Sequence, residues 1–266
     1  MTRRGARALV LLAVATCGDP ATTPPTDVPD DATTTASPSA DAGRPAPGMR
    51  SSAGPAPGTR AAAAPAPPRG DGWFTDVTAW SGVDFVHDAG VSPERQLPET
   101  MGAGAALADL DRDGDLDAYL VQSGSLPIPG RARPRRPVNR LFANIGDGRF
   151  TDTTDASGAA AHDGYGMGVA SGDVDGDGLE DLFVTNLGPD VLLHNEGALR
   201  FYDATAGTDL ADPRWTGSAA FHDADGDGDL DLTVAAYVDV DLATPAWCGR
   251  REEGWRSYCH PDAYEG

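Results

Sequence analysis

Asp109-Leu110-Asp111-Arg112-Asp113-Gly114-Asp115-Leu116-Asp117 is the stretch that decides the fold, because it is written three times. The second copy is Asp173-Val174-Asp175-Gly176-Asp177-Gly178-Leu179-Glu180-Asp181, and the third is Asp223-Ala224-Asp225-Gly226-Asp227-Gly228-Asp229-Leu230-Asp231. The shared pattern is D-x-D-x-D-G-x-x-D. Four carboxylates in nine residues repel one another unless a cation offsets the charge. A hard divalent ion does so, and Ca²⁺ takes six to eight oxygens from flexible loops of this kind. The carboxylates at positions 1, 3, 5 and 9 are the expected side-chain ligands, and the Gly at position 6 admits the sharp turn. Position 7, held by Asp115, Leu179 and Asp229, is expected to give a main-chain carbonyl, a role that a Leu can fill. Three ions are expected, one per copy. Mg²⁺ fits less well, since it keeps its waters and uses few protein carboxylates. A solvated acidic turn without an ion is the alternative, and three matching copies argue against it.

An EF-hand requires a bidentate Glu at position 12 between two helices. Position 12 here is Leu120, Val184 and Val234, each inside an apolar run such as Leu182-Phe183-Val184. Such runs read as strands, so each acidic loop is expected to join two strands. A second element recurs in step. Phe150-Thr151-Asp152-Thr153-Thr154 and Phe201-Tyr202-Asp203-Ala204-Thr205 echo Phe74-Thr75-Asp76-Val77-Thr78. The first two are preceded by Asn139 to Asn144 and by Val191 to Asn195, with a Gly-containing turn between, which is the pattern of a β-hairpin. The unit is therefore strand, acidic loop, strand, hairpin. Repeats of this size point to propellers, solenoids or arrays. Four short strands per unit select a β-propeller and an all-β fold.

These repeats resemble the FG-GAP/VCBS repeats of integrin α-subunit propellers and bacterial surface proteins. More narrowly, residues 73–266 resemble the cartilage acidic protein-like family, whose longer members carry an ASPIC/UnbV domain. Leu97-Pro98-Glu99-Thr100-Met101-Gly102, Gly164-Tyr165-Gly166-Met167-Gly168-Val169-Ala170 and Asn139 to Thr154 carry that narrower likeness. The resemblance implies a calcium-bound propeller with the loop aspartates as ligands, and no known reaction. Residues 72–266 supply three to four blades, and no further hairpin copy follows the third loop. The expectation is a propeller truncated at its C-terminus, to be completed by missing blades or by another chain.

The first 71 residues read as an address and a tether. Residues 1–16 combine Arg3, Arg4 and Arg7 with the apolar run Ala8 to Ala15, the pattern of a secretory signal too short to span a bilayer. Val14-Ala15-Thr16 before Cys17 resembles a lipobox, so Cys17 is the expected lipidation site, with plain secretion as the alternative. Residues 17–71 are rich in Pro, Ala, Thr and Ser and bury too little apolar surface to fold, so they are expected to be a disordered linker. Arg69-Gly70-Asp71 spells an integrin-binding tripeptide, which chance explains in so Arg/Gly-rich a stretch. The expected address is the cell envelope or surface by a lipid anchor, otherwise the exterior.

Fifteen of the 41 acidic residues lie in the three loops, so the net charge of −21 is in part a metal-site property. It argues against nucleic acid, which requires a basic face. Arg131, Arg133, Arg135, Arg136 and Arg140 form the one basic cluster, expected as a solvated loop, with contact to anionic glycan or lipid as the functional alternative. Cys248 and Cys259, eleven apart in an exported chain, suggest one local disulfide. Free thiols or an incomplete zinc set with His260 are weaker readings. No zinc-protease, nucleophile-elbow or P-loop motif is present. Gly102-Ala103-Gly104 and Gly164 to Gly168 lack dinucleotide-loop spacing and are expected to allow close strand packing. His87, His162, His194, His222 and His260 are scattered. His222, beside the third loop, is the best remaining candidate for chemistry. The expected function is a non-catalytic calcium-stabilised module at the bacterial surface that binds protein or glycan. The alternative is an accessory or scaffold part of a secreted polysaccharide-acting lyase or hydrolase.

Overall fold

The computed structural model describes residues 74–161, 164–210 and 213–264. The signal at 1–16, Cys17, the linker at 17–71 with Arg69-Gly70-Asp71, and His162 lie outside the described residues. Strands dominate, and the helices are single turns.

The first blade is an antiparallel meander of β1 (Ala105–Ala108), β2 (Asp117–Leu120), β3 (Arg140–Asn144) and β4 (Phe150–Asp152). The second repeats it with β5 (Gly166–Gly172), β6 (Asp181–Asn186), β7 (Val191–Asn195) and β8 (Phe201–Asp203). A third unit holds, among the described residues, β9 (Thr216–His222) and β10 (Asp231–Ala236). Each acidic loop joins the first two strands of its unit, between strands and not helices. A separate hairpin follows, β11 (Cys248–Arg250) against β12 (Trp255–Ser257). Cys248 and Cys259 are joined there by a disulfide, with their Cα atoms 5.2 Å apart. The architecture is all-β and propeller-like, and no sheet closes on itself among the described residues.

Alternation along the strands puts each blade's apolar side chains on two faces. Tyr119 and Phe183 hold the same place two residues after their loops, and each faces the next blade. Tyr119, Leu110, Val121 and Leu141 of the first blade pack on Leu182, Val184, Leu193 and Phe201 of the second. Phe183 packs on Leu232 and Val234 of the third unit, and meets the Phe221 ring edge-on at 6.5 Å. The Tyr119 hydroxyl donates to the Ala159 carbonyl at 2.7 Å and accepts from Asn139 Nδ2 at 3.0 Å, so no polar atom of this buried ring is left unpaired.

The inner strands approach closely, and glycine is the reason. A Cβ on Gly104 would lie 2.9 Å from the Gly168 Cα, and one on Gly168 would lie 2.9 Å from the Gly217 carbonyl oxygen. Gly104 N–H donates to the Met167 carbonyl across this contact at 2.9 Å. The glycine runs thus serve strand packing.

The Phe-x-Asp-x-Thr copies end in a conserved-geometry turn within this one chain. Asp76, Asp152 and Asp203 each accept the N–H of the Thr two residues on, at 2.9 Å in all three. Short helices follow the first two, α1 (Thr78–Ser81) and α2 (Thr154–Ser157), each ending at a left-handed glycine, Gly82 or Gly158. Gly158 packs on the Phe201 carbonyl of the blade ahead, and Gly82 packs on Phe150 in the same way. Phe74 to Asp76 therefore stands where the outer strand of a preceding blade would stand. Phe74 is 95% exposed.

The basic cluster is largely solvent-exposed, with Arg131, Arg135 and Arg136 exposed and Arg133 half-buried, and its side chains also tie it to the blade. Arg131 pairs with Glu94 at 2.7 Å, Arg133 donates to the Ser125 and Gly164 carbonyls, and Arg135 donates to the Val91 carbonyl. Arg140 lies outside the Pro-rich insertion altogether: it opens β3 and pairs with Asp152 on β4. Guanidinium groups of the insertion thus reach the carbonyls of Val91, Ser125 and Gly164, which ties it back to the blade.

Candidate metal centre

The three acidic loops adopt one hydrogen-bond pattern. Position 1 accepts the N–H of the position-6 glycine: Asp109 from Gly114 at 3.1 Å, Asp173 from Gly178 at 2.8 Å, Asp223 from Gly228 at 3.1 Å. Position 3 accepts from position 5 at 3.2 Å in every copy. Position 5 accepts from position 7, where the N–H donors are Asp115, Leu179 and Asp229, at 2.9, 2.8 and 3.0 Å. Position 9 reaches back to position 2: Asp117 accepts from Leu110, Asp181 from Val174 and Asp231 from Ala224. Each carboxylate thus spends oxygen capacity on fixing the loop and keeps capacity in reserve, since an ionised carboxylate has about four acceptor sites.

The loop curls through two left-handed residues. The position-6 glycines have φ of 95, 88 and 93°. Position 4 is also left-handed, with Gly176 and Gly226 there and Arg112 at φ 64°. The Arg hid this second requirement from a reading of the pattern.

Carboxylate oxygens converge as a result. Asp109, Asp111 and Asp113 each place one within 4.8 Å of the others, as do Asp173, Asp175 and Asp181, and Asp223, Asp225 and Asp231. In the second loop Asp175 and Asp177 also converge with His194. His194 Nδ1 lies 3.0 Å from Asp181 Oδ1, and Nε2 lies 3.9 Å from Asp175. His194 and not His222 is therefore the histidine that joins a loop. His222 is exposed at the end of β9, outside these groups. The sequence carried no signal for His194, since the residue in the same place before the Asn of β3 is Ala143.

Position 9 is anchored from the outer hairpin. Asp117 Oδ1 accepts the Asn144 N–H at 2.8 Å, and Asp181 Oδ1 accepts that of Asn195 at 2.7 Å. Both Asn side chains donate to the carbonyl before that Asp, Leu116 or Glu180, at 3.0 Å. Asn144 and Asn195 thus tie the hairpin to the loop.

The electrostatics match crowded carboxylates. Burial, then the Asp113 and Asp109 charges, hold the Asp111 carboxyl above its ordinary range despite an opposing backbone hydrogen bond. Burial also raises Asp117, with Asp111 and Asp113 adding to it, and burial raises Asp181 against the pull of its N–H donors and His194. Asp109 Oδ1 is buried without a hydrogen-bond partner. An uncompensated buried carboxylate oxygen of this kind is costly unless a cation meets it.

The FG-GAP-like repeat family model matches residues 109–184 and 173–234, spans that begin at the first Asp of a loop and end in the strand after the next. Residues 109–234 match FG-GAP-like repeats, and the sheets they form are β-propeller-like. No curated protein matches the chain.

Proposed function

We propose that this chain is a non-catalytic, calcium-stabilised propeller module, exported to the bacterial cell surface and held there through Cys17, where it binds protein or glycan. Its place within the cartilage acidic protein-like family is part of the same reading. The observation that carries it is the threefold loop geometry, with convergent oxygens and the buried, partnerless Asp109 Oδ1. The donor set fits a hard cation: Asp109, Asp111, Asp113 and Asp117 in the first loop, Asp173, Asp175, Asp177 and Asp181 in the second, Asp223, Asp225, Asp227 and Asp231 in the third. A bound Ca²⁺ supplies the positive charge that offsets their mutual repulsion. The residues do the rest. Position 9 pins the strand that follows the loop, and Asn144 and Asn195 carry that order into the outer hairpin.

A disulfide between Cys248 and Cys259 suits an oxidising compartment. It also steadies the surface best suited to a partner. Trp255 and Trp247 are exposed there, with Arg250 5.5 Å over the Trp255 ring and Arg256 5.0 Å over that of Trp247. Aromatic and Arg side chains together are the composition that recognition surfaces favour.

The test is a thermal melt of the full chain in Ca²⁺, in Mg²⁺ and in EDTA, with size exclusion alongside. A ligand that binds only the folded state stabilises by on the order of 3 kcal/mol per site at a hundredfold excess over Kd. A large rise specific to Ca²⁺ is expected. Identical melts in Ca²⁺ and EDTA would refute the calcium reading.

A further inference from the structure

We propose that the disulfide hairpin β11–β12, with the arginine packed against its end, is a binding site for an acidic saccharide, a pyranose unit that carries a carboxylate. This deepens the reading that the chain binds protein or glycan, and rests on it. Acidic residues outnumber Lys and Arg by 41 to 20 in the chain, yet this one segment gathers guanidinium groups on aromatic rings. Arg251 lies 5.4 Å and Arg256 5.0 Å over the Trp247 ring, Arg250 lies 5.5 Å over Trp255, and Arg95 lies 5.5 Å over Tyr258. Elsewhere among the described residues only Arg140 is stacked in this way, on Phe142.

The charges of these arginines are mostly unspent. Of the two acids between β11 and β12, Glu253 pairs with Arg250 at 2.9 Å and Glu252 is exposed. Arg95, Arg251 and Arg256 have no carboxylate within ion-pair distance among the described residues. Arg256 donates to the Ala246 carbonyl at 2.7 Å and Arg95 to the Tyr258 hydroxyl at 3.3 Å, so uncharged oxygens hold both in place. Arg251 is exposed and stacked. A guanidinium laid flat on a ring turns its N–H fork sideways, where a carboxylate can take two donors in one plane. The Trp255 ring, 52% exposed, offers an apolar surface beside them for the C–H face of a sugar. The hairpin is ordered in advance by the Cys248–Cys259 disulfide and by the Tyr258 hydroxyl, which donates to the buried Glu99 carboxylate at 3.3 Å. A ligand therefore spends little on ordering it.

The same features select against other anionic partners. Nucleic acid is held by many phosphate contacts on a basic face, and the chain as a whole is acidic. A bilayer takes up bare rings, whereas two guanidinium groups keep Trp247 hydrated. Charges are screened beyond about 8 Å at physiological ionic strength, so a ligand with a single carboxylate responds to these arginines and little to the net charge of the chain.

The probe is cellobiouronic acid, a disaccharide with one carboxylate, titrated by calorimetry against the full chain in calcium, with the calcium and EDTA melts recorded on the same preparation. Saturable binding at one site per chain is expected. Its methyl ester, which keeps the rings and loses the charge, is expected to bind about tenfold more weakly, and Arg251→Ala and Trp255→Ala are expected to weaken the acid by about as much. Arg251→Lys keeps the charge without the fork and is expected to fall between, while Arg200→Ala, exposed on the β7–β8 turn, is expected to bind as the unaltered chain does. Absence of binding, or binding indifferent to the ester or to Arg251, would overturn the proposal. Equal affinity for a triglutamate peptide, which has charge without rings, or for phosphatidylglycerol vesicles would also overturn it. No binding by a chain whose melt responds to Ca²⁺ sinks this inference alone, and Arg251-dependent binding by a chain with identical melts sinks the calcium reading alone.

Discussion

Replacing Asp113 by Ala separates a loop residue that serves a cation from one that serves the fold. The Asp113 side chain is exposed, and its one hydrogen bond is from the Asp115 N–H at 2.9 Å. In EDTA its loss is expected to cost about 0.5 kcal/mol, the low end for a hydrogen bond in water. In calcium the same change removes a ligand and with it most of one site's linkage, about 3 kcal/mol at a hundredfold excess over Kd. For a domain of this size about 1 kcal/mol moves Tm by about 2–4 °C, so the expected drop is roughly 6–12 °C in calcium and about 2 °C or less in EDTA. Asp117→Ala is the contrast. Asp117 is buried and accepts N–H groups from both Leu110 and Asn144, so its loss leaves two donors short and is expected to lower Tm in both buffers. Differential scanning calorimetry on the full chain reads all four conditions. Equal drops for Asp113→Ala in calcium and EDTA would refute the reasoning, for they would make Asp113 a structural residue and no ligand.

Three further outcomes follow from the same geometry. Gly168→Ala sets a Cβ 2.9 Å from both the Gly217 carbonyl oxygen and Thr185 Oγ1, and is expected to cost about 1–3 kcal/mol by denaturant melt, with Gly102→Ala, which meets nothing, as the silent control. The stabilisation by calcium is expected to shrink on acidification. Burial, with repulsion from neighbouring carboxylates second, holds Asp111, Asp117 and Asp181 above the ordinary carboxylate range, so in EDTA that destabilisation is fully present above their folded pKa and is relieved as pH falls through it toward the unfolded value. The Tm difference between calcium and EDTA therefore narrows as pH drops from 7 toward that range, and a gap that widens would contradict the assignment. Cys248→Ser with Cys259→Ser opens an eleven-residue separation, for which chain entropy gives roughly 3 kcal/mol. Because β11 and β12 pair only with each other among the described residues, the loss is expected as faster hydrogen exchange over 248–259, with exchange in β5 and β6 unchanged.

The acidic nonapeptide was legible in the sequence because its chemistry is local. Carboxylates at alternate positions, the turn glycine and the apolar run behind them all lie within a dozen residues, and each copy folds alike. The spacing of the copies and the Phe-x-Asp-x-Thr echoes were enough for a four-stranded unit and hence a propeller-like fold. What depends on strand register was not legible. His194 looked like any strand residue until β7 laid it beside Asp175 and Asp181. That the exposed or half-buried arginines 131, 133 and 135 also hold carbonyls and a carboxylate was not legible, because those partners are 8 to 44 residues away along the chain. Arg112 concealed a left-handed turn that glycine marks in the other two loops. Sequence alone determined the repeat, the loop and the strand that follows it, since short-range sterics and charge dictate them. Only the tertiary structure decided which Asn anchors which Asp, and that among the described residues β10 is followed by the disulfide hairpin. Those are facts of hydrogen bonds between distant strands, which no local pattern encodes.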